Sequence, residues 1–70
     1  MEKINIYKWE FIFEYDSGSG NWTLKEPITK AIEMSGYEHN GILRFERSSE
    51  RVHYFEMDLR KKIQKAFKRI

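Results

Sequence analysis

The sequence predicts an α+β fold: an antiparallel three- or four-stranded sheet with two amphipathic helices packed on one face. Three observations lead to this prediction. Residues 4–15 alternate between aromatic and mostly charged side chains, as in a half-buried strand. Two later segments place apolar residues at helical spacing. The chain has 70 residues and no cysteine, so we expect one domain, residues 1–70, without disulfides or thiolate metal sites.

We expect the domain to be built around its first strand, residues 4–15. The odd positions from residue 7 onward are aromatic: Tyr7, Trp9, Phe11, Phe13 and Tyr15. Alternate side chains of a strand point to opposite faces, so these rings share one face. An exposed row of rings would be a base-stacking platform, but a domain this small needs such rings in its core. We therefore predict that they are buried, with Tyr7 and Tyr15 nearest the rim.

The residues after the first strand form a loop. Residues 16–21 read Asp-Ser-Gly-Ser-Gly-Asn, and all six are favoured in turns. The lysine and the following hydroxyl of a phosphate-binding loop are missing, so a hairpin or connecting loop is predicted. A short strand over 21–24 stays open.

A helix is predicted over residues 24–35. Thr23 and Glu26 have the spacing of a capping box, and Pro27 is tolerated in a first helical turn. The apolar positions at helical spacing are Leu24, Ile28, Ala31 and Ile32. Gly36 follows as a helix stop.

Two further strands are predicted over residues 42–47 and 51–57. The more apolar face of this pair would point inward and carries Leu43, Phe45, His53, Phe55 and Met57. The last helix is predicted over 58–70, with Asp58 as its N-cap. Its apolar stripe is Leu59, Ile63, Ala66, Phe67 and Ile70. Besides the aromatic face, the predicted core contains Leu24, Ile28, Ile32, Leu43, Phe45, Phe55, Leu59, Ile63 and Phe67.

The last helix also carries most of the positive charge. Residues 58–70 hold six basic residues and one acidic residue, a balance of +5, whereas residues 1–57 have a balance of −3. The predicted binding residues are Arg60, Lys61, Lys62, Lys65, Lys68 and Arg69. Like charges at helical spacing repel, and cations in a first turn oppose the helix dipole. A face that keeps such charges indicates an anionic partner, unless it is an ordinary solvated face balanced by Glu46, Glu50 and Glu56.

Three classes of function stay open. The preferred one is a non-enzymatic, nucleic-acid-binding accessory domain that uses the basic face of the last helix. The alternative is a protein-binding module for an acidic protein surface, such as a small inhibitor or antitoxin-like protein of phage or mobile-element origin. The third is a small metal-independent nuclease using His53 with Arg44 or Arg51. We predict no catalytic residue, no cofactor and no metal, because the two histidines, His39 and His53, form no recognised ligand spacing.

Targeting signals are also missing from the sequence. No basic segment precedes an apolar run, and no apolar stretch approaches the roughly 20 residues of a transmembrane helix. We therefore expect no membrane association and a cytoplasmic protein. Formation of a homodimer stays open, because so short a chain buries a small share of its surface.

Overall fold

The computed structural model describes residues 2–6 and 8–70 of the chain. Five strands are followed by a short 3-10 helix and one α-helix. They are β1 (Glu2–Ile6), β2 (Trp9–Tyr15), β3 (Asn21–Lys25), β4 (Ile32–His39), β5 (Ile42–Ser48), the 3-10 helix (Glu50–Phe55) and α1 (Glu56–Lys68). Each strand pairs antiparallel with the next one along the chain, so β1 and β5 are the two edges of the sheet.

The predicted fold class is wrong. The sheet has five strands instead of three or four, and α1 is the single α-helix among residues 2–6 and 8–70. The strand predicted over 42–47 and the amphipathic helix predicted at the end of the chain are confirmed as β5 and α1. The open strand over 21–24 exists as β3.

The long strand predicted over 4–15 is a hairpin of β1 and β2. Ile4 pairs with Phe11, and Ile6 pairs with Trp9. The aromatic side chains of β2 do face the core, and Phe11 and Phe13 are fully buried. The buried positions change from even in β1 (Ile4, Ile6) to odd in β2 (Phe11, Phe13), so the single alternation predicted for residues 4–15 breaks where the chain reverses. Tyr7 lies outside the described residues.

The segment predicted as a helix over 24–35 is the end of β3, a tight loop and the start of β4. The carboxylate of Glu26 accepts hydrogen bonds from the backbone N–H of Ile28 at 3.1 Å and of Thr29 at 2.6 Å. The backbone reverses there, with Lys30 at a φ of 65°. Glu26 therefore stabilises a hairpin loop instead of capping a helix. Ile28 and Ile32, placed in the core by the sequence, are 87% and 55% exposed.

The strand predicted over 51–57 is the 3-10 helix and the start of α1. Its buried residues are Val52 and Phe55, three positions apart, which is the repeat of a 3-10 helix. His53 and Met57, predicted to face inward, are exposed. Two residues lie between these positions, a spacing that puts them on opposite faces of a strand but on one face of a 3-10 helix.

The core lies between one face of the sheet and α1, which contacts β1, β2 and β5. It consists of Ile4, Ile6, Phe11, Phe13, Trp22, Leu24, Met34, Leu43, Val52, Phe55, Leu59, Ile63 and Ala66. Trp9, Tyr15, Phe45 and Phe67 pack against it while partly exposed. The arrangement leaves the other face of the sheet to solvent and turns the polar side of α1 outward.

Candidate functional site

The apolar side of α1 is fully engaged with the sheet. Leu59, Ile63 and Ala66 are each 0% exposed. Phe67 completes this side, with its ring edge-on to Tyr15 at a centroid distance of 5.0 Å. The helix is therefore held in one orientation, and its basic residues lie on the side that faces away from the core.

The two arginines predicted as binding residues are engaged within the protein. Arg60 donates a hydrogen bond from Nη2 to Glu56 Oε2 at 2.8 Å, and its guanidinium lies 4.8 Å from the ring centroid of Phe45. Arg69 donates from Nη2 to Glu2 Oε2 at 3.2 Å. The carboxylate of Glu56 also accepts from the Ser48 hydroxyl, whose hydrogen bond is the main reason that the pKa of Glu56 is lowered.

The four lysines of α1 differ from the arginines. Lys61, Lys62, Lys65 and Lys68 are all exposed, and we call them the lysine face. No carboxylate of residues 2–6 and 8–70 forms a salt bridge with any of them. The lysine face therefore presents four uncompensated charges to solvent.

A groove runs between edge strand β1 and α1, and we call it the β1–α1 groove. Lys3 and Asn5 line one side, and Lys62, Lys65 and Arg69 line the other. The groove continues past Asn5 and Ile6 to Asp58 and Lys61. Asp58 is the one carboxylate among these lining residues. Lys3, on the edge strand β1, places a fifth cation at the rim of the groove, and its side chain alternates with the buried Ile4 and so leaves the strand on the solvent face of the sheet.

The sequence did not single out Lys3. A lysine in the polar half of an alternating strand is usually just solvated, and only the pairing order makes β1 an edge beside the helix. Two other basic residues, Lys25 and Arg44, do not join the groove. Lys25 lies 3.0 Å from Glu14 on the solvent face of the sheet, and Arg44 lies on β5, the edge of the sheet opposite to β1.

The residues considered for a nuclease do not form a cluster. His53 is exposed on the 3-10 helix, and Arg51 is held 3.5 Å from Glu33 and over the ring of Trp9. In the described part of the chain, no hydrogen bond joins His53 to Arg44 or Arg51. The same residues include no group of three histidine or acidic side chains that could hold a metal ion.

Comparison of the chain with protein-family models, with curated proteins and with solved structures gave no match. Among the described residues, no helix has the length and apolarity required to cross a bilayer. Function is therefore inferred from the chemistry of the surface alone.

Proposed function

We propose that this chain is a non-enzymatic accessory domain that binds nucleic acid through the lysine face of α1. The observation that carries the proposal is a contrast between the basic residues at the end of the chain: the arginines pair with carboxylates, whereas the four lysines have no such partner among residues 2–6 and 8–70. A cytoplasmic setting, in which nucleic acid is present, belongs to the same proposal.

The electrostatics of α1 favour an anionic partner. The helix begins at Glu56, so Glu56 and Asp58 carry its first turn and the lysines stand farther from the positive end of the dipole than the sequence predicted. Repulsion remains, because Lys61 and Lys65 are four residues apart and Lys65 and Lys68 are three apart. Bound phosphates would relieve this repulsion and release their condensed counterions.

The layout of the charges favours nucleic acid over an acidic protein surface. Lys61 and Lys68 are seven residues apart, a distance of about 10 Å along the helix axis. A duplex presents one negative charge per roughly 1.7 Å of its axis, so such a row meets several phosphates wherever it docks. A protein surface would need carboxylates at matching positions.

The experiment compares two double variants that each lose two positive charges. Lys61→Gln/Lys65→Gln removes charge from the lysine face, and Lys30→Gln/Arg44→Gln removes it from exposed positions elsewhere. Binding of a labelled random-sequence duplex is followed by fluorescence anisotropy over a series of salt concentrations. For the first variant we expect weaker binding and a slope of log affinity against log salt that is smaller by about 1.8. The second should keep the wild-type slope.

Absence of binding at low salt, or equal losses in both variants, would contradict the proposal. A complex with an acidic protein that depends on Lys61 and Lys65, without any nucleic-acid binding, would support the protein-binding alternative instead. Circular dichroism of each variant verifies that the helix is retained.

A further inference from the structure

We infer that the ligand of the lysine face is a double helix recognised through its phosphates alone, whatever its base sequence. This inference rests on the proposed function and specifies its substrate class. It depends on which arginine side chains around the β1–α1 groove are already paired and which aromatic side chains are buried.

The two arginines of this surface are paired with carboxylates of the protein. Arg is the side chain best suited to bidentate contacts with a base edge, because its guanidinium is a planar fork. Arg60 and Arg69 each donate one hydrogen bond from Nη2 to a carboxylate, that of Glu56 and that of Glu2. The remaining cations are lysine amines, which act as point charges toward phosphate.

The aromatic side chains are either buried or lie away from the groove. Proteins that bind single strands stack the bases on exposed aromatic side chains. Phe11, Phe13 and Trp22 are at most 1% exposed. The exposed rings of Tyr37 and Tyr54 lie on β4 and on the 3-10 helix, and no aromatic residue lines the β1–α1 groove within the described part of the chain. A single strand would therefore gain no stacking here.

What remains is charge, and charge favours the duplex. Its phosphates are denser along the axis than those of a single strand, and each contact releases more counterion: about 0.9 per phosphate against about 0.7. Four lysine contacts predict a salt slope of about −3.6, and a contact from Lys3 across the groove raises its size to about 4.5.

The test measures wild-type affinity for DNA duplexes of equal length but different base composition, for an RNA duplex, and for the matching single strands. We expect the DNA duplexes to agree within about threefold, since sequence-specific binding typically exceeds non-specific binding by about 10³-fold or more. The RNA duplex should bind through the same lysines, and the single strands more weakly with a smaller slope. Lys3→Gln should reduce the duplex slope by about 0.9.

Two results would overturn the inference while leaving the proposed function intact. One is a single duplex sequence bound at least about 100-fold more tightly than the others. The other is a single strand bound more tightly than the duplex, with Tyr37→Ala or Tyr54→Ala weakening that binding. Loss of all binding to every ligand would instead overturn the proposed function itself.

Discussion

Arg69 Nη2 lies 3.2 Å from Glu2 Oε2, so the residue that follows α1 is joined to the edge strand at the other end of the chain. The two side chains are 58% and 30% exposed. Such exposed pairs contribute about 0–1 kcal/mol to stability. The pair therefore matters less for folding than for charge, because it neutralises the cation at one end of the β1–α1 groove.

Glu2→Gln should strengthen nucleic-acid binding. Without its carboxylate partner, Arg69 becomes available to a phosphate, so we expect the salt slope to increase by about 0.9 in size. Thermal stability should change little, because the lost pair is on the surface. The matched control is Glu10→Gln on exposed Glu10 of β2, which removes the same charge without releasing an arginine. An equal rise in both variants would show that overall charge, not Arg69, is responsible.

Glu56 makes stability depend on pH. Its pKa is lowered from the ordinary value of 4.5, first by the Ser48 hydroxyl at 2.5 Å and then by Arg60. A lowered folded-state pKa contributes stability that is present above the unfolded value and is lost as pH falls through the folded value. Ser48→Ala should therefore destabilise the protein by about 1.5 kcal/mol near pH 7.

The difference in unfolding free energy between wild type and Ser48→Ala should shrink as the pH is lowered below about 4.5. Urea unfolding at a series of pH values measures it. Ser17→Ala, on the exposed loop between β2 and β3, is the control and should leave the curve unchanged. If the loss of unfolding free energy in Ser48→Ala stayed constant down to low pH, Ser48 would not act through the ionised carboxylate of Glu56.

Gly36 has no tolerated substitution by a larger residue. The indole of Trp22 donates from Nε1 to the carbonyl oxygen of Arg44 at 3.1 Å, and this contact passes close to Gly36. A Cβ at Gly36 would overlap that carbonyl and lie 2.9 Å from Trp22 Nε1. Gly36→Ala should cost at least about 3 kcal/mol of unfolding free energy, measured by urea titration. Gly18→Ala, in an exposed loop, should cost less than about 1 kcal/mol.

Glu33 anchors the chain where it leaves the sheet. Its side chain is 3% exposed and accepts a hydrogen bond from the Ser49 hydroxyl at 2.6 Å, with Arg51 Nε at 3.5 Å. Glu33→Ala leaves the serine without this acceptor and should destabilise the protein by about 2 kcal/mol. Glu50→Ala, an exposed neighbour in the 3-10 helix, should stay within about 0.5 kcal/mol. Equal midpoints of urea unfolding for the two variants would show that the Glu33 side chain does not stabilise the chain at this point.

The sequence predicted secondary structure correctly where the apolar residues of one segment all pack against the same surface. The stripe of α1 could be recognised because Leu59, Ile63 and Ala66 repeat over about two turns against a single sheet face. The prediction failed between residues 24 and 35, where Leu24 and Ile28 have helical spacing but only Leu24 is buried. The carboxylate of Glu26 accepts hydrogen bonds from the backbone of this loop. These bonds stabilise a hairpin loop, in which Ile28 lies outside the core.

The candidate site was predicted in part. The lysine face followed from residues 58–70, since a helix with one apolar side must turn the rest of its surface outward. The loss of Arg60 to Glu56 could have been noticed from their spacing of four residues, which favours pairing. The loss of Arg69 to Glu2 and the gain of Lys3 could not, because both depend on β1 lying at the edge beside α1.

The sequence by itself determined the local preferences of this protein: alternation in the strands, the apolar stripe of α1 and the excess of positive charge at its end. These properties depend on neighbours within one or two turns of chain, where spacing determines direction. The tertiary structure alone decided which strand is an edge and which cations of the described residues stay unpaired. Those outcomes depend on contacts between residues far apart in sequence, such as Glu2 and Arg69, for which spacing gives no signal.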